Sequence, residues 1–203
     1  MTKFHAHSLT ISTHNVEIVP LAEQHFEAYF EAFSLDPHTM ALYSHPPKSP
    51  SREDVHAFFV GRMTPPDITQ AFVFQDKILG TSSYYNISDV NHSVEIGYTW
   101  IAAPFRGTNL NPIVKLAMIQ AAFEDFGAVR VQFVTSHKNF RSQKAMENIG
   151  LVREGTLRQD RLIHDGTWRD TVYFSVIKSE WPAMKARLQE LIRDRTDWRT
   201  VTS

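Results

Sequence analysis

The sequence predicts an α+β fold, a mixed and mostly antiparallel sheet flanked by helices, in one domain over residues 1–203. Three observations carry this. Hairpin-like pairs of alternating apolar runs lie near both ends of the chain. A strand–helix–strand stretch over residues 94–135 must set its two strands parallel, because a crossover helix joins them. At 203 residues and 42% hydrophobic, the chain can bury one core of its own.

Residues 9–12 and 16–19 read as short strands around a turn at His14-Asn15. A helix is expected over 21–33, with Leu21, Phe26, Tyr29, Phe30 and Phe33 on one face. Pro37, Pro46, Pro47 and Pro50 make 34–50 mostly loop. Ser51-Arg52-Glu53-Asp54 has the form of a capping box opening a short helix to Gly61. Past a proline-containing loop at 64–67, strands at 70–75 and 78–86 flank an Asp76-Lys77 turn. After a turn at 88–91 comes a strand over 94–101. Simple alternation would put Val94, Ile96, Tyr98 and Trp100 on one face and Glu95, Gly97 and Thr99 on the other.

The helix at 112–126 has Asn111 at its N-cap, Pro112 at N1 and Gly127 at its end. A β-branched and aromatic strand follows at 129–135, then a helix at 140–149 stopped by Gly150. Residues 155–163 and 168–177 form a hairpin around Asp165-Gly166, and Ser179 opens a last helix over 179–195. Trp181, Met184, Leu188, Leu191 and Ile192 form its apolar stripe.

Composition narrows the function. With 21 basic and 22 acidic residues there is no electrostatic case for nucleic acid or an anionic membrane as a partner. No apolar run approaches the ~18 residues of a membrane span. Residues 1–15 carry no apolar stretch of a secretory signal, so a cytoplasmic location is expected, with residues 1–7 mobile. The absence of cysteine excludes disulfides, thiolate-zinc sites and a cysteine-bound acyl intermediate. The histidines, His5 and His7 included, lack a metal-ligand spacing such as His-Glu-x-x-His, and no metal is expected. Arg193, Arg195 and Arg199, interleaved with Asp194 and Asp197, read as a solvated end.

Between the strand at 94–101 and the helix at 112–126 lies Arg106-Gly107-Thr108-Asn109-Leu110-Asn111. A loop entering a helix N-terminus aims several N–H groups and the positive dipole end at one spot, where phosphate binds. Arg106 adds a charge suited to phosphate oxygens. Asn109 stands where such a loop often needs a positive φ. Alone, these residues describe an ordinary capped helix equally well. A nucleotide site is the weaker reading, since no Gly-x-x-x-x-Gly-Lys-Ser/Thr or Gly-x-Gly-x-x-Gly occurs.

Further residues add to the loop: Val94-Glu95-Ile96-Gly97-Tyr98-Thr99-Trp100, the segment from Asn139 to Gly150, and Arg169-Asp170-Thr171. Together with it they carry a resemblance to the GNAT superfamily of acetyl-CoA-dependent N-acetyltransferases. The resemblance covers nearly the whole chain and is strongest to the branch that includes ribosomal-protein N-terminal acetyltransferases.

The resemblance implies acetyl-CoA as co-substrate. Its pyrophosphate would lie on the backbone of Arg106, Gly107, Thr108, Asn109, Leu110 and Asn111. Its pantetheine arm would pair with Thr99, Trp100 and Ile101 like an added strand edge, across a gap to the strand at 129–135. Asn139 and Ser142 would hydrogen-bond it from the other side. Two departures stand out. Asn109 and Asn111 replace small residues of the usual loop pattern. Met146 stands where many members carry a tyrosine that protonates the leaving thiolate.

An amine must be neutral to attack a thioester. A lysine-like amine (pKa about 10.4) needs a base, whereas a peptide α-amine (about 7.7–8) needs far less help. Glu95 is the candidate base, directly or through a water; an equal reading makes it a partner of a neighbouring strand or loop. A backbone N–H near Trp100 or Ile101 would hold the oxyanion. Tyr84, Tyr85, Tyr173 and Trp168 are candidates for the acceptor pocket, with sheet packing as the competing role. Asp170 and Arg169 are expected to brace the hairpin against Arg158 or Arg161. The acceptor is a primary amine, a protein N-terminus or a small molecule, acetylated directly in a ternary complex. A non-catalytic acyl-CoA-binding module is the alternative. Exposed strand edges and aromatic content allow a homodimer.

Overall fold

The computed structural model describes residues 10–41 and 43–201. His5, His7 and Leu9 lie outside the described residues. Among the described residues, eight strands form one sheet in the order β1-β2-β3-β4-β5-β6-β8-β7. They are β1 (Ile11–Thr13), β2 (Val16–Pro20), β3 (Ile68–Phe74), β4 (Lys77–Ser88), β5 (Ser93–Ile101), β6 (Arg130–Ser136), β7 (Val152–Leu162) and β8 (Trp168–Ile177). Every neighbouring pair is antiparallel except β5 and β6, the pair that the crossover helix joins.

Helices α1 (Phe26–Ser34) and α2 (Arg52–Gly61) cover one face, where Tyr29 of α1 meets Phe59 of α2 and Trp100 of β5. Helices α3 (Leu110–Gln120) and α5 (Trp181–Asp194) pack together on the other face. The short α4 (Phe140–Asn148) follows β6. Ser51 caps α2 as its sequence requires, accepting from the Asp54 N–H at 3.2 Å.

Several boundaries differ from the sequence reading for local reasons. Residues Glu23–His25 form a 3₁₀ turn, so α1 starts later, at Phe26. The β3–β4 turn falls on Gln75 and Asp76, with φ of 48° and 65°, one residue before the expected pair. A left-handed pair of central residues matches the twist of a two-residue hairpin. Glu180, not Ser179, stands at the start of α5, and its carboxylate accepts from the Ile177 N–H at 3.0 Å. The final turn of the crossover helix widens into π geometry over Ala121–Asp125.

Two differences shape the cleft. Tyr98 has φ 49°, and the β4–β5 register shifts between Thr81 and Ser83. This bulge reverses the alternation of β5. Tyr98 lies against Tyr85 and Tyr43, with ring centroids 5.1 and 6.1 Å away, and Trp100 reaches Tyr29. Both therefore share the α1/α2 face with Glu95 and Gly97, instead of the face of Val94 and Ile96. Thr99 turns to α3, where Lys115 Nζ donates to its Oγ1 at 2.6 Å.

The second difference is at α3. The helix begins at Leu110 with Asn109 at the N-cap, two residues before the expected start. Asn109 has φ −75°, and the left-handed residue is Gly107 at φ 80°. The cap is supplied by Thr108, whose Oγ1 accepts from the Leu110 N–H at 3.2 Å. Asn109 instead ties down the C-terminal segment. Its N–H donates to the Thr196 carbonyl at 2.9 Å and its Nδ2 to the Ile192 carbonyl at 3.2 Å, while its Oδ1 accepts from the Trp198 N–H at 3.0 Å. That segment is a solvated end only in part: Arg193, Asp194 and Arg199 are exposed, but Trp198 is buried against Phe74 and Phe105.

Candidate functional site

The parallel pairing of β5 and β6 stops at Glu95 and Gln132. Beyond that point the strands separate and enclose a cleft of about 470 Å³. One wall is β5 from Ile96 to Ile101, and the other is β6 from Phe133 to Ser136 with the first turns of α4. Past the last ladder pair, the β5 edge facing β6 has no strand partner, which suits an extended ligand.

At one end the cleft reaches Arg106, Gly107 and Asn111, with Arg195 beside them. Among the described residues, the N–H groups of Gly107, Thr108 and Asn111 donate to no protein atom, in contrast to those of Asn109 and Leu110. Arg106 is partly engaged: Nε donates to the Ile101 carbonyl at 2.9 Å and Nη1 to Asp36 at 2.5 Å. The same contact holds the Asp36 carboxyl below its usual range. Arg106 thus fixes the loop to the end of β5 as well as bordering the cleft.

Of the expected cofactor residues, Thr99, Trp100, Ile101, Arg106, Gly107, Asn111, Asn139 and Ser142 come together around this cleft. The side chains of Thr108, Asn109 and Leu110 turn into the protein and are buried. Asn139 is the N-cap of α4, and its Oδ1 accepts from the Ser142 N–H at 3.0 Å. Met146 borders the cleft one turn further along α4.

Glu95 is buried beneath the cleft. Its carboxylate accepts from the Tyr85 hydroxyl, from Asn86 Nδ2 at 3.0 Å and from Gln132 Nε2 at 3.1 Å. Its route to the cleft runs through Tyr85. Burial and the Glu95 carboxylate push the Tyr85 phenol well above its ordinary value, so the proton stays on the tyrosine. Gly97 makes room for this pair: a Cβ there would stand 2.7 Å from the Tyr85 hydroxyl oxygen.

The acceptor candidates divide. Tyr85 borders the cleft. Tyr84 points to the opposite face, where its hydroxyl donates to the Met118 carbonyl at 2.9 Å, so it belongs to the core. Trp168 is 59% exposed at the end of the β7–β8 hairpin and Tyr173 lies mid-strand in β8; neither borders the cleft. Asp170 does not meet an arginine. Its Oδ1 accepts from the Gln159 N–H at 2.8 Å, pinning the bulge of β7.

Sequence reasoning missed Lys115, Tyr43, Arg161 and Arg169, all of which border the cleft. Lys115 was legible in part, since it lies one turn beyond Asn111 on the same helix face. Its Nζ also approaches Ser82 Oγ at 3.5 Å and lies 5.1 Å from the Phe133 ring centroid. Burial pulls its pKa from 10.5 to about 7. The other three come from segments far from the loop: no local pattern marks Tyr43, and Arg161 and Arg169 were read as hairpin braces instead of cleft residues. No group of three or more His, Cys, Asp or Glu that could hold a metal occurs among the described residues. Nor is any helix among them long and apolar enough to cross a membrane.

Comparison with known proteins agrees with this architecture. A family model described as "Acetyltransferase (GNAT) domain" matches residues 15–152. The "Putative ribosomal N-acetyltransferase YdaF" of Bacillus subtilis (strain 168) is 34% identical over 118 residues, covering 58% of this chain and 63% of that protein. The alignment thus spans less than two thirds of that relative's length. The crystal structure of a "putative acetyltransferase" from T. thermophilus is 34% identical with a TM-score of 0.84, covering 94% of this chain and 98% of its own. Mycobacterium smegmatis RimJ, solved in complex with CoA-disulfide, shares the fold at 18% identity. Its TM-score is 0.72, with 90% of this chain and 91% of its own covered. Because the family match runs through β2 to α4, the elements that build both walls of the cleft, the chain belongs to the GNAT acetyltransferase family.

Proposed function

We propose that this protein transfers the acetyl group of acetyl-CoA to a primary amine, directly, within a ternary complex. One observation carries the reading: β5 and β6 part after Glu95 and Gln132, and the resulting cleft ends on the free N–H groups of the loop before α3. The pyrophosphate would take the N–H groups of Gly107, Thr108 and Asn111, with Arg195 adding charge. The pantetheine arm would lie along β5 from Thr99 to Ile101, with Asn139 and Ser142 opposite. The amine nitrogen attacks the thioester carbonyl, the tetrahedral carbon expels the thiolate, and the amine's proton passes to the Tyr85 hydroxyl as that hydroxyl gives its own to the Glu95 carboxylate. With no cysteine in the chain, no thioester-linked enzyme intermediate can form.

Glu95 contributes through Tyr85, as the carboxylate that accepts this hydroxyl. For the thiolate, Met146 offers no proton. Lys115, brought near neutrality by burial, is the proton donor on the α3 side of the cleft. The acceptor is a small amine or a protein N-terminus; the name of the B. subtilis relative favours the latter.

The test is a calorimetric titration with acetyl-CoA, followed by thiol release with a panel of amines and dipeptides. Binding with thiol release supports the transferase. Binding without release for every amine would indicate an acyl-CoA-binding module, the alternative that Met146 keeps open. No binding would overturn the assignment of the loop.

A further inference from the structure

The cleft is also lined by two arginines that the reaction above does not use. Arg161 of β7 and Arg169 of β8 are direct cross-strand partners. Like charges in that position repel. Arg169 is only 8% exposed. Its Nη1 donates to Ser44 Oγ at 2.9 Å and its Nη2 to Thr171 Oγ1 at 3.3 Å; its Nε has no partner among the described residues. No described carboxylate forms an ion pair with it. Arg161 meets Asp160 through Nε at 3.3 Å, leaving the rest of its fork toward the cleft.

The nearby acids are already committed. Glu95 takes its three neutral donors, Asp160 faces Arg161, and Asp170 holds the Gln159 N–H. Burial and the neighbouring Arg161 pull the Arg169 pKa down, and the Asp160 charge offsets this only in part. A buried charge without a partner is expensive, and such sites are commonly completed by a ligand. The phosphates of acetyl-CoA would be met by the loop before α3. None of the hydrogen-bond partners of Arg161 and Arg169 belongs to the loop at 106–111. With the phosphates of acetyl-CoA given the loop N–H groups and Arg195, the acceptor is the remaining source of an anion for this site.

Resting on the transferase reading, we propose that Arg161 and Arg169 seat a carboxylate of the acceptor, so that the acetylated amine belongs to a carboxylate-bearing molecule. Guanidinium forks match a carboxylate in shape as well as charge. Tyr85 and Tyr98, with ring centroids 5.1 Å apart, border the same cleft. A polyamine or a strongly basic N-terminal segment would meet like charge here.

The test uses the full chain with acetyl-CoA and three substrate sets. These are ω-amino acids of increasing length against their primary amides, dipeptide amides with aspartate or asparagine in second place, and a diamine. Thiol release gives kcat/KM. In the wild-type protein carboxylates should exceed their amides by about 10-fold or more, the ratio that one charge-assisted pair supports. That preference should collapse toward unity in Arg169→Gln and in Arg161→Gln, with the acetyl-CoA Kd unchanged. A response to ω-amino acids points to a free amino acid, and a response to the aspartyl dipeptides points to a peptide source. Equal turnover of amides or diamine would overturn the seat while leaving the transferase intact, as would a preference that survives both substitutions.

A second readout needs no turnover: calorimetric binding of an N-acetylated amino acid and of its amide to the CoA-saturated protein. Tighter carboxylate binding that depends on the arginines supports the seat even if no amine releases thiol, in which case only the transferase reading falls. Arg161 is less buried than Arg169, so Arg161→Gln keeps the test valid if Arg169→Gln fails to fold.

Discussion

Lys115 shows how one buried group couples stability to pH. Its amine is neutral more readily in the folded protein, at about 7, than in the unfolded chain, at 10.5. Between those values the unfolded state binds more protons, so stability rises as pH climbs from about 7 to about 10.5. Below the folded value the lysine is charged in both states, and the penalty is fully present. Urea melts should show wild-type stability growing by a few kcal/mol over that window. Lys115→Met should flatten the slope and be the more stable protein at pH 7; an unchanged slope would remove Lys115 as its source. The Glu95–Tyr85 pair makes a second residue-scale prediction. Because Glu95 reaches the cleft through the Tyr85 hydroxyl, Glu95→Gln and Tyr85→Phe should each lower kcat about 10-fold or more with little change in acetyl-CoA affinity. The double variant should be no slower than the worse single one, since the residues act as a unit. Additive losses would mean that they act separately.

At the scale of elements, the sequence was informative where a pattern is local. Periodicity located the hairpins and the crossover helix, and the crossover implied the parallel pair; Ser51 was legible as a helix start because its cap closes within three residues. The reversal of β5 was not, because a bulge is a choice between partner strands and Tyr98 carries no mark of it. The roles of Asn109 and Arg169 were also hidden, since their partners lie 83 to 89 and 125 residues away along the chain. Asn109 therefore gives an element-scale prediction different from a loop under strain. At φ −75° any residue fits, and what a substitution removes is the link from α3 to the C-terminal segment. Asn109→Ala leaves the Ile192 carbonyl and the Trp198 N–H without partners, which should cost about 2–3 kcal/mol in urea unfolding. Acetyl-CoA affinity should fall less than it does for a substitution that blocks the Gly107 or Asn111 N–H. A variant as stable as wild type would show that the tie carries no energy.

Across the whole molecule, the cleft depends on segments distant in sequence being held to one sheet. β5 and its neighbours form one wall, β6 and α4 the other, while the loop between them is fastened from outside. Arg106 ties it to Ile101 and Asp36, and Asn109 ties it to the segment after α5. That segment carries Trp198, almost fully buried between Phe74 of β3 and Phe105 of the loop region. Trp198→Ala should cost about 3–5 kcal/mol by leaving a cavity under the loop. The same change should weaken acetyl-CoA binding although Trp198 does not border the cleft, because the N–H groups before α3 lose their support. In a thermal-shift series with rising acetyl-CoA, the variant should start from a lower Tm and need more ligand for the same increment. A lower Tm with an unaltered ligand response would mean that the C-terminal segment stabilises the fold without shaping the loop.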